Sequence, residues 1–188
     1  KLWSASNSQI KNSNLANYED YINLKFNQRF KRKYSNILSW SIKNSGKFWE
    51  SIWDYCNVKG AKGNINIKKS KTFYKNHFLS DYKLNFAENL LSKNDNSKAI
   101  TFVSENGYKE KRSWKELNIN SNKIISFLKS NKIKSGDRVA AYLPNIIETV
   151  EYFIGTAAIG AIWSSCSPDF GVKGVIERFA QIKPKILV

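Results

Sequence analysis

Residues 138–188 read RVAAYLPNIIETVEYFIGTAAIGAIWSSCSPDFGVKGVIERFAQIKPKILV. This stretch decides the fold. Arg138 to Leu143 is a short apolar run of strand length, and Pro144 blocks its continuation. Asn145 is placed to cap a helix, with Glu148 three residues on. Ile147, Val150, Ile154, Ala157 and Ala158 then recur at helical spacing, and Gly160 can end that helix. Ala161 to Ser164 is a second strand. Ser167 or Asp169 can cap a second helix carrying Val172, Val175, Ile176, Phe179 and Ile182. Pro184 stops it, and Lys185 to Val188 begins a third strand. The order is β-α-β-α-β. Strands this short and apolar belong in a mostly parallel sheet covered on both faces. In such sheets ligands bind beyond the carboxyl ends of the strands. That rule singles out two loops, Pro144-Asn145 and Ser165-Cys166-Ser167-Pro168-Asp169.

Working towards the amino end, Ala99 to Val103 reads as a strand. Glu105-Asn106-Gly107 is a hairpin turn and Tyr108 to Arg112 the return strand. Ser113-x-x-Glu116 is a capping box opening a helix whose face is Leu117, Ser121, Ile124, Ile125 and Leu128. Residues 57–98 are rich in Lys, Asn and Ser and read as loops. The exception is Leu84 to Leu91, a short amphipathic helix with Leu84, Ala87, Leu90 and Leu91 on one face. Residues 1–60 are helical, with Tyr18, Tyr21 and Ile22, then Ile37 and Trp40, then Phe48, Ile52 and Trp53 at helical spacing, and Asn44-Ser45-Gly46 as a turn. The expected domains are therefore 1–98, a helical cap with a loop-rich tail, and 99–188, the α/β part.

The 188 residues carry 31 basic and 15 acidic side chains, a net charge of +16. All of that excess lies in residues 1–135, and residues 136–188 are balanced. Only five of the basic residues are arginine, the type favoured for bidentate reading of phosphates and bases. The densest cluster, Arg29 to Tyr34, reads as a solvated face or, alternatively, as a polyanion contact. Trp40, Phe48, Trp49 and Trp53 read as an aromatic core, with base stacking as the alternative. Two cysteines 110 positions apart and a single histidine exclude a disulfide framework and a Cys/His zinc site. Cys166 reads as a buried structural thiol and His77 as a loop or packing residue. A reduced, cytoplasmic setting is expected. No secretory signal or transmembrane span is evident, so no membrane partner is expected. The chain opens on Lys1, holds no methionine and ends inside a strand, which together suggest a fragment cut at both ends.

Four motifs carry a family resemblance. Gly136 to Asn145 (GDRVAAYLPN) resembles a segment of acyl-CoA synthetases in the adenylate-forming superfamily. Gly160 to Val172 is similar to the acetoacetate–CoA ligase version, and acetyl-CoA synthetases usually carry Gly-Gly where this chain has Ser164-Ser165. Leu84 to Leu91 resembles the LNYAENLL signature, and Phe48-Trp49 with Ile52 to Tyr55 resembles the FW…VWDF helix of the same enzymes. The resemblance implies a helical cap followed by the opening part of the large α/β domain. It implies an AMP-forming ligase that uses ATP, Mg2+ and coenzyme A to activate a small acid, acetoacetate, through an acyl-adenylate. A fragment of an acetyl- or propionyl-CoA synthetase is the alternative. A basic, non-catalytic nucleic-acid-binding module is the remote one. The resemblance also places Trp163, Ser164 and Ser165 at the border of a coenzyme A channel. No catalytic residue and no metal ligand is assigned, because no Ser/Thr/Gly-rich phosphate loop ending in lysine occurs in the chain. The fragment alone is therefore expected to be inactive. The sequence does not reveal oligomeric state.

Overall fold

The computed structural model describes residues 2–188. Two compact units are present, one ending at Leu84 and the other spanning Asn85–Val188. The division falls earlier than the change of sequence pattern at residue 99, because the helix that opens at residue 86 packs within the second unit.

Among the described residues, the first unit opens with the α-helices α1 (Asn7–Lys11), α2 (Asn14–Phe26), α3 (Tyr34–Lys43) and α4 (Ser45–Tyr55). Two small antiparallel ribbons follow. β1 (Gly60–Ala61) pairs with β4 (Lys83–Leu84), and β2 (Ile67–Lys68) pairs with β3 (His77–Phe78). Ser6 and Gln9 form a capping box on α1, and Ser13 caps α2 by accepting from the Ala16 amide. Tyr18, Ile22, Phe30, Ile37 and Trp40 make the core. Ser51 Oγ donates to the Phe48 carbonyl at 2.7 Å, so the buried Tyr18 hydroxyl donates to Ser51 Oγ, also at 2.7 Å. Burial pushes the Tyr18 hydroxyl above its ordinary pKa.

The aromatic cluster is mainly core, since Trp40 and Trp53 are buried, but Trp49 is 40% exposed and lies against Phe78. The expected turn at Asn44-Ser45-Gly46 shrinks to Asn44 alone, with Ser45 and Gly46 already helical. Gly46 serves a close approach instead: a Cβ there would meet Ile67 Cγ2 at 3.1 Å. Residues 29–33 of the basic cluster form a loop with Phe30 buried in the core, and Tyr34 opens α3. Arg32 turns back onto α2, donating to the Ala16 carbonyl and to Asp20, both at 2.7 Å, while its own amide donates to the buried Glu19. One of the cluster's two arginines is thus committed to contacts with α2, although it stays partly exposed.

In the second unit α5 (Phe86–Leu90) is capped by Asn85, which accepts from the Ala87 and Glu88 amides. Leu84 belongs to β4, outside that helix, and is exposed. β5 (Lys98–Val103) and β6 (Lys109–Ser113) form the expected hairpin. The capping box Ser113/Glu116 opens α6 (Trp114–Ser130), which buries Leu117, Ser121, Ile124 and Leu128. Then come β7 (Arg138–Tyr142), α7 (Ile147–Ala158), β8 (Ile162–Cys166), α8 (Val172–Ile182) and β9 (Ile186–Leu187). The sheet is fully parallel, in the order β8-β7-β9. One of its faces packs Val139 and Trp163 with Ile124, Leu128 and Tyr152, from α6 and α7. The other packs Ala140 and Cys166 with Phe179, Val175 and Ile182 of α8. The β-α-β-α-β reading holds, with helices on both faces.

Three local expectations are corrected. Asn145 does not cap α7. The helix opens at Ile146, whose side chain offers no oxygen, because seating Ile147 in the core fixes the helix start. Neither Ser167 nor Asp169 caps α8. They hydrogen-bond each other at 2.7 Å, and Gly171 is the N-cap. Val172 and Ile176 were grouped with the buried stripe but are 76% and 60% exposed, since the sheet covers only the side bearing Val175, Phe179 and Ile182.

Candidate functional site

The carboxyl ends of β7 and β8 lie side by side, with Tyr142 opposite Cys166 in register. The chain leaves β7 towards α7 on one face and leaves β8 towards α8 on the other. In doubly wound sheets, ligands bind beside loops that leave adjacent strand ends towards opposite faces.

On one side of the strand ends is the turn after β7. Thr149 Oγ1 donates to the Pro144 carbonyl at 2.7 Å and fixes this turn to the first turn of α7. On the other side is loop 167–171. It closes on itself through the Phe170 amide and Ser167 carbonyl, 3.1 Å apart. Tyr142 reaches it from β7, its hydroxyl standing 2.8 Å from the Pro168 carbonyl and 3.0 Å from the Phe170 carbonyl. The Phe170 ring carries the Arg178 guanidinium 4.1 Å from its centroid. At the opposite end of β7, Arg138 Nε donates to the Ile182 carbonyl at 2.8 Å. Arg138 and Tyr142, on one face of one strand, therefore hold the carboxyl end of α8 and the loop that leads into it.

The three residues expected at a channel border are not equivalent. Strand alternation puts Trp163 and Ser165 on one face of β8 and Ser164 on the other. Trp163 is half-buried in the core, its ring 6.5 Å from that of Phe153. Ser164 is half-buried beneath the α8 side, and Ser165 is exposed next to the strand end. Sequence reading placed these residues but did not find Tyr142, whose role depends on partners 26 and 28 positions away. Cys166 is buried, as expected of a structural thiol, and His77 is exposed on β3.

Among the described residues no group of three or more His, Cys, Asp or Glu could hold a metal ion. No helix there is long and apolar enough to cross a membrane. A groove of about 420 Å³ in the first unit is lined mainly by apolar side chains, among them Ile42, Trp49 and Phe78, with Lys69 at its polar side.

The family model described as "AMP-binding enzyme" matches residues 88–188, more than half of the chain. The chain belongs to the AMP-binding enzyme family. Among AMP-binding relatives, the acetoacetyl-coenzyme A synthetase of Rhizobium meliloti is 36% identical over 187 residues, covering 100% of this chain and 29% of its own length. The solved acetoacetyl-CoA synthetase of Streptomyces lividans superposes with a TM-score of 0.89 at 26% identity, over 99% of this chain and 29% of its own. A solved acyl-CoA synthetase of Brucella canis gives a TM-score of 0.52 at 25% identity, over 55% of this chain and 20% of its own. The chain thus spans less than a third of the length of these relatives.

Proposed function

We propose that this chain is the N-terminal stretch of an ATP-dependent acetoacetate–CoA ligase. The observation that carries this reading is the extent of likeness. The general AMP-binding model begins at residue 88, whereas the two acetoacetyl-CoA synthetases align over essentially the whole chain, helical first unit included. In the reaction, the acetoacetate carboxylate attacks the α-phosphorus of ATP, forming the acyl-adenylate and releasing pyrophosphate. The thiol sulfur of coenzyme A then attacks the acyl carbonyl, its proton is lost, and AMP departs as the thioester forms. The partner is a small acid in the cytoplasm.

This stretch contributes scaffold rather than reacting groups. Adenylation requires cations and donors arranged around the α-phosphate. The sequence holds no Ser/Thr/Gly-rich phosphate loop ending in lysine, and among the described residues no group of three or more His, Cys, Asp or Glu is placed to hold a metal ion. Trp163, Ser164 and Ser165 border the coenzyme A channel in this reading. Ser165, exposed at the strand end, is the residue of the three best placed to meet pantetheine.

The test is acid-dependent exchange of radiolabelled pyrophosphate into ATP by the full-length protein. Exchange dependent on acetoacetate supports the reading. Exchange with acetate or propionate but not acetoacetate moves it to the sister ligases, and no exchange with any short acid overturns it. Residues 1–188 alone should release no AMP.

A further inference from the structure

We infer that Tyr142 is a positioning residue for the thioester-forming half-reaction, acting through the loop that follows β8. The inference rests on the ligase reading and deepens it.

The geometry starts with alternation. Arg138, Ala140 and Tyr142 share the face of β7 that α8 covers, while Val139 and Ala141 face the other way. Ala140 is small, fully buried, and packs with Cys166 and Phe179, so α8 lies close against the strand. Tyr142 is the last residue of β7 and projects past that contact. Its single proton faces two carbonyl oxygens, on Pro168 and Phe170, that flank Asp169. A phenol has one hydrogen to donate, so the two carbonyls share it or take it in turn. Either way the loop backbone is tied to the neighbouring strand.

The other fastenings of the loop are local: the Ser167–Asp169 pair, the Ser167–Phe170 turn and the Phe170–Arg178 stack. They set the shape of the loop. Only the Tyr142 bond, among these, relates that shape to β7. The loop begins two residues after Ser165, directly at the carboxyl end of β8. Its placement therefore governs the space beside Ser165. A ligand pressed against backbone there needs the loop in place before it arrives, and a loose loop costs binding free energy through ordering. The first half-reaction involves no coenzyme A, so it should not depend on this loop.

The experiment uses the full-length protein, wild type and Tyr142→Phe, with three readouts. The variant keeps the ring and loses only the hydroxyl. It should raise KM for coenzyme A by about five- to tenfold, the worth of one net hydrogen bond. Acetoacetate-dependent pyrophosphate exchange should stay within about twofold of wild type on the same reasoning. Amide hydrogen exchange in residues 167–171 should quicken, with β7 and β8 unchanged. Arg178→Ala, which loosens the loop from its other side, should shift KM for coenzyme A in the same direction. An unchanged KM for coenzyme A, equal losses in both half-reactions, or unaltered exchange in the loop would each overturn the role of Tyr142. A wild-type protein with no acid-dependent exchange instead overturns the ligase reading and the coenzyme A role with it. Loop protection then still decides whether Tyr142 holds the loop.

Discussion

Arg112 on β6 and Glu151 on α7 form a part-buried ion pair, Nε to Oε1 at 3.1 Å, that fastens the hairpin to the helical layer. Burial opposes the charge on Arg112, yet hydrogen bonds to Glu110 and Glu151 outweigh it and raise the guanidinium pKa. Glu148 reaches the same guanidinium at 3.3 Å, but Glu148 is 45% exposed and Glu151 only 6%. Glu151 also accepts from Asn120 at 2.8 Å, which joins α6 to the network.

The two glutamates should therefore respond differently to neutralisation. Glu151→Gln removes a buried partner charge and should cost about 1–3 kcal/mol, less than a full pair because Glu110 remains. Glu148→Gln should cost less than about 0.5 kcal/mol, as exposed pairs do. Urea unfolding monitored by tryptophan fluorescence checks both. Equal costs would contradict the account.

Close packing of α6 and α7 gives a second contrast. A Cβ on Gly155 would lie 2.6 Å from Ile124 Cγ2, 3.0 Å from Ile124 Cβ and 3.3 Å from the Ser121 carbonyl. Gly155→Ala should destabilise by about 1–2 kcal/mol, the overpacking cost exceeding the gain in helix propensity. On α8, a Cβ on Gly174 meets nothing nearer than Phe170 Cδ1 at 3.7 Å. Gly174→Ala should stabilise by about 0.5–1 kcal/mol. Thermal unfolding of the two variants measures the opposite signs.

Acid should weaken the fold in a defined way. Asp54 is held below its ordinary pKa first by the Lys25 ammonium, Asp81 by the Asn64 and Ile65 amides, and Asp137 by the Lys185 ammonium and the Lys134 amide. A carboxylate with a depressed folded pKa stabilises fully above its unfolded value, near pH 4. That contribution is lost as pH falls through the folded value. The thermal midpoint should be nearly flat from about pH 6 to 8 and fall below about pH 4. The difference between wild type and Asp137→Asn should be largest above about pH 5 and shrink on acidification. A pH-independent difference would refute this.

The basic loop supplies a fourth test. Arg32→Ala should lower the thermal midpoint, since Arg32 holds the Ala16 carbonyl and Asp20, while Lys33→Ala should leave it unchanged. RNA binding by the chain should be weak at physiological salt. Tight binding with a steep salt dependence would revive the nucleic-acid module.

What was legible in the sequence was local or periodic. The Ser113/Glu116 box is a four-residue signal, and the alternation of apolar runs gave the parallel sheet with its helices on both faces. What was not legible depends on distant partners. Arg138 and Tyr142 look like ordinary strand residues until α8 returns beneath them, and Gly46 looks like a turn residue until Ile67 is seen against it. Asn145 is a good cap by type, but burial of Ile147 moved the helix start past it. Strand order alone points to the loop that begins at Ser165, whereas the Trp163-Ser164-Ser165 run is a site candidate only through the family resemblance. Its division between two faces follows from β8 extending to Cys166, two residues further than expected.

The central claim is tested most directly by product identity. The full-length protein is given ATP, coenzyme A and equal amounts of acetoacetate, acetate and propionate, and the thioesters are separated and weighed by mass spectrometry. The account predicts acetoacetyl-CoA as the dominant product, formed with one AMP per thioester. Dominant acetyl- or propionyl-CoA, or no thioester at all, would contradict it.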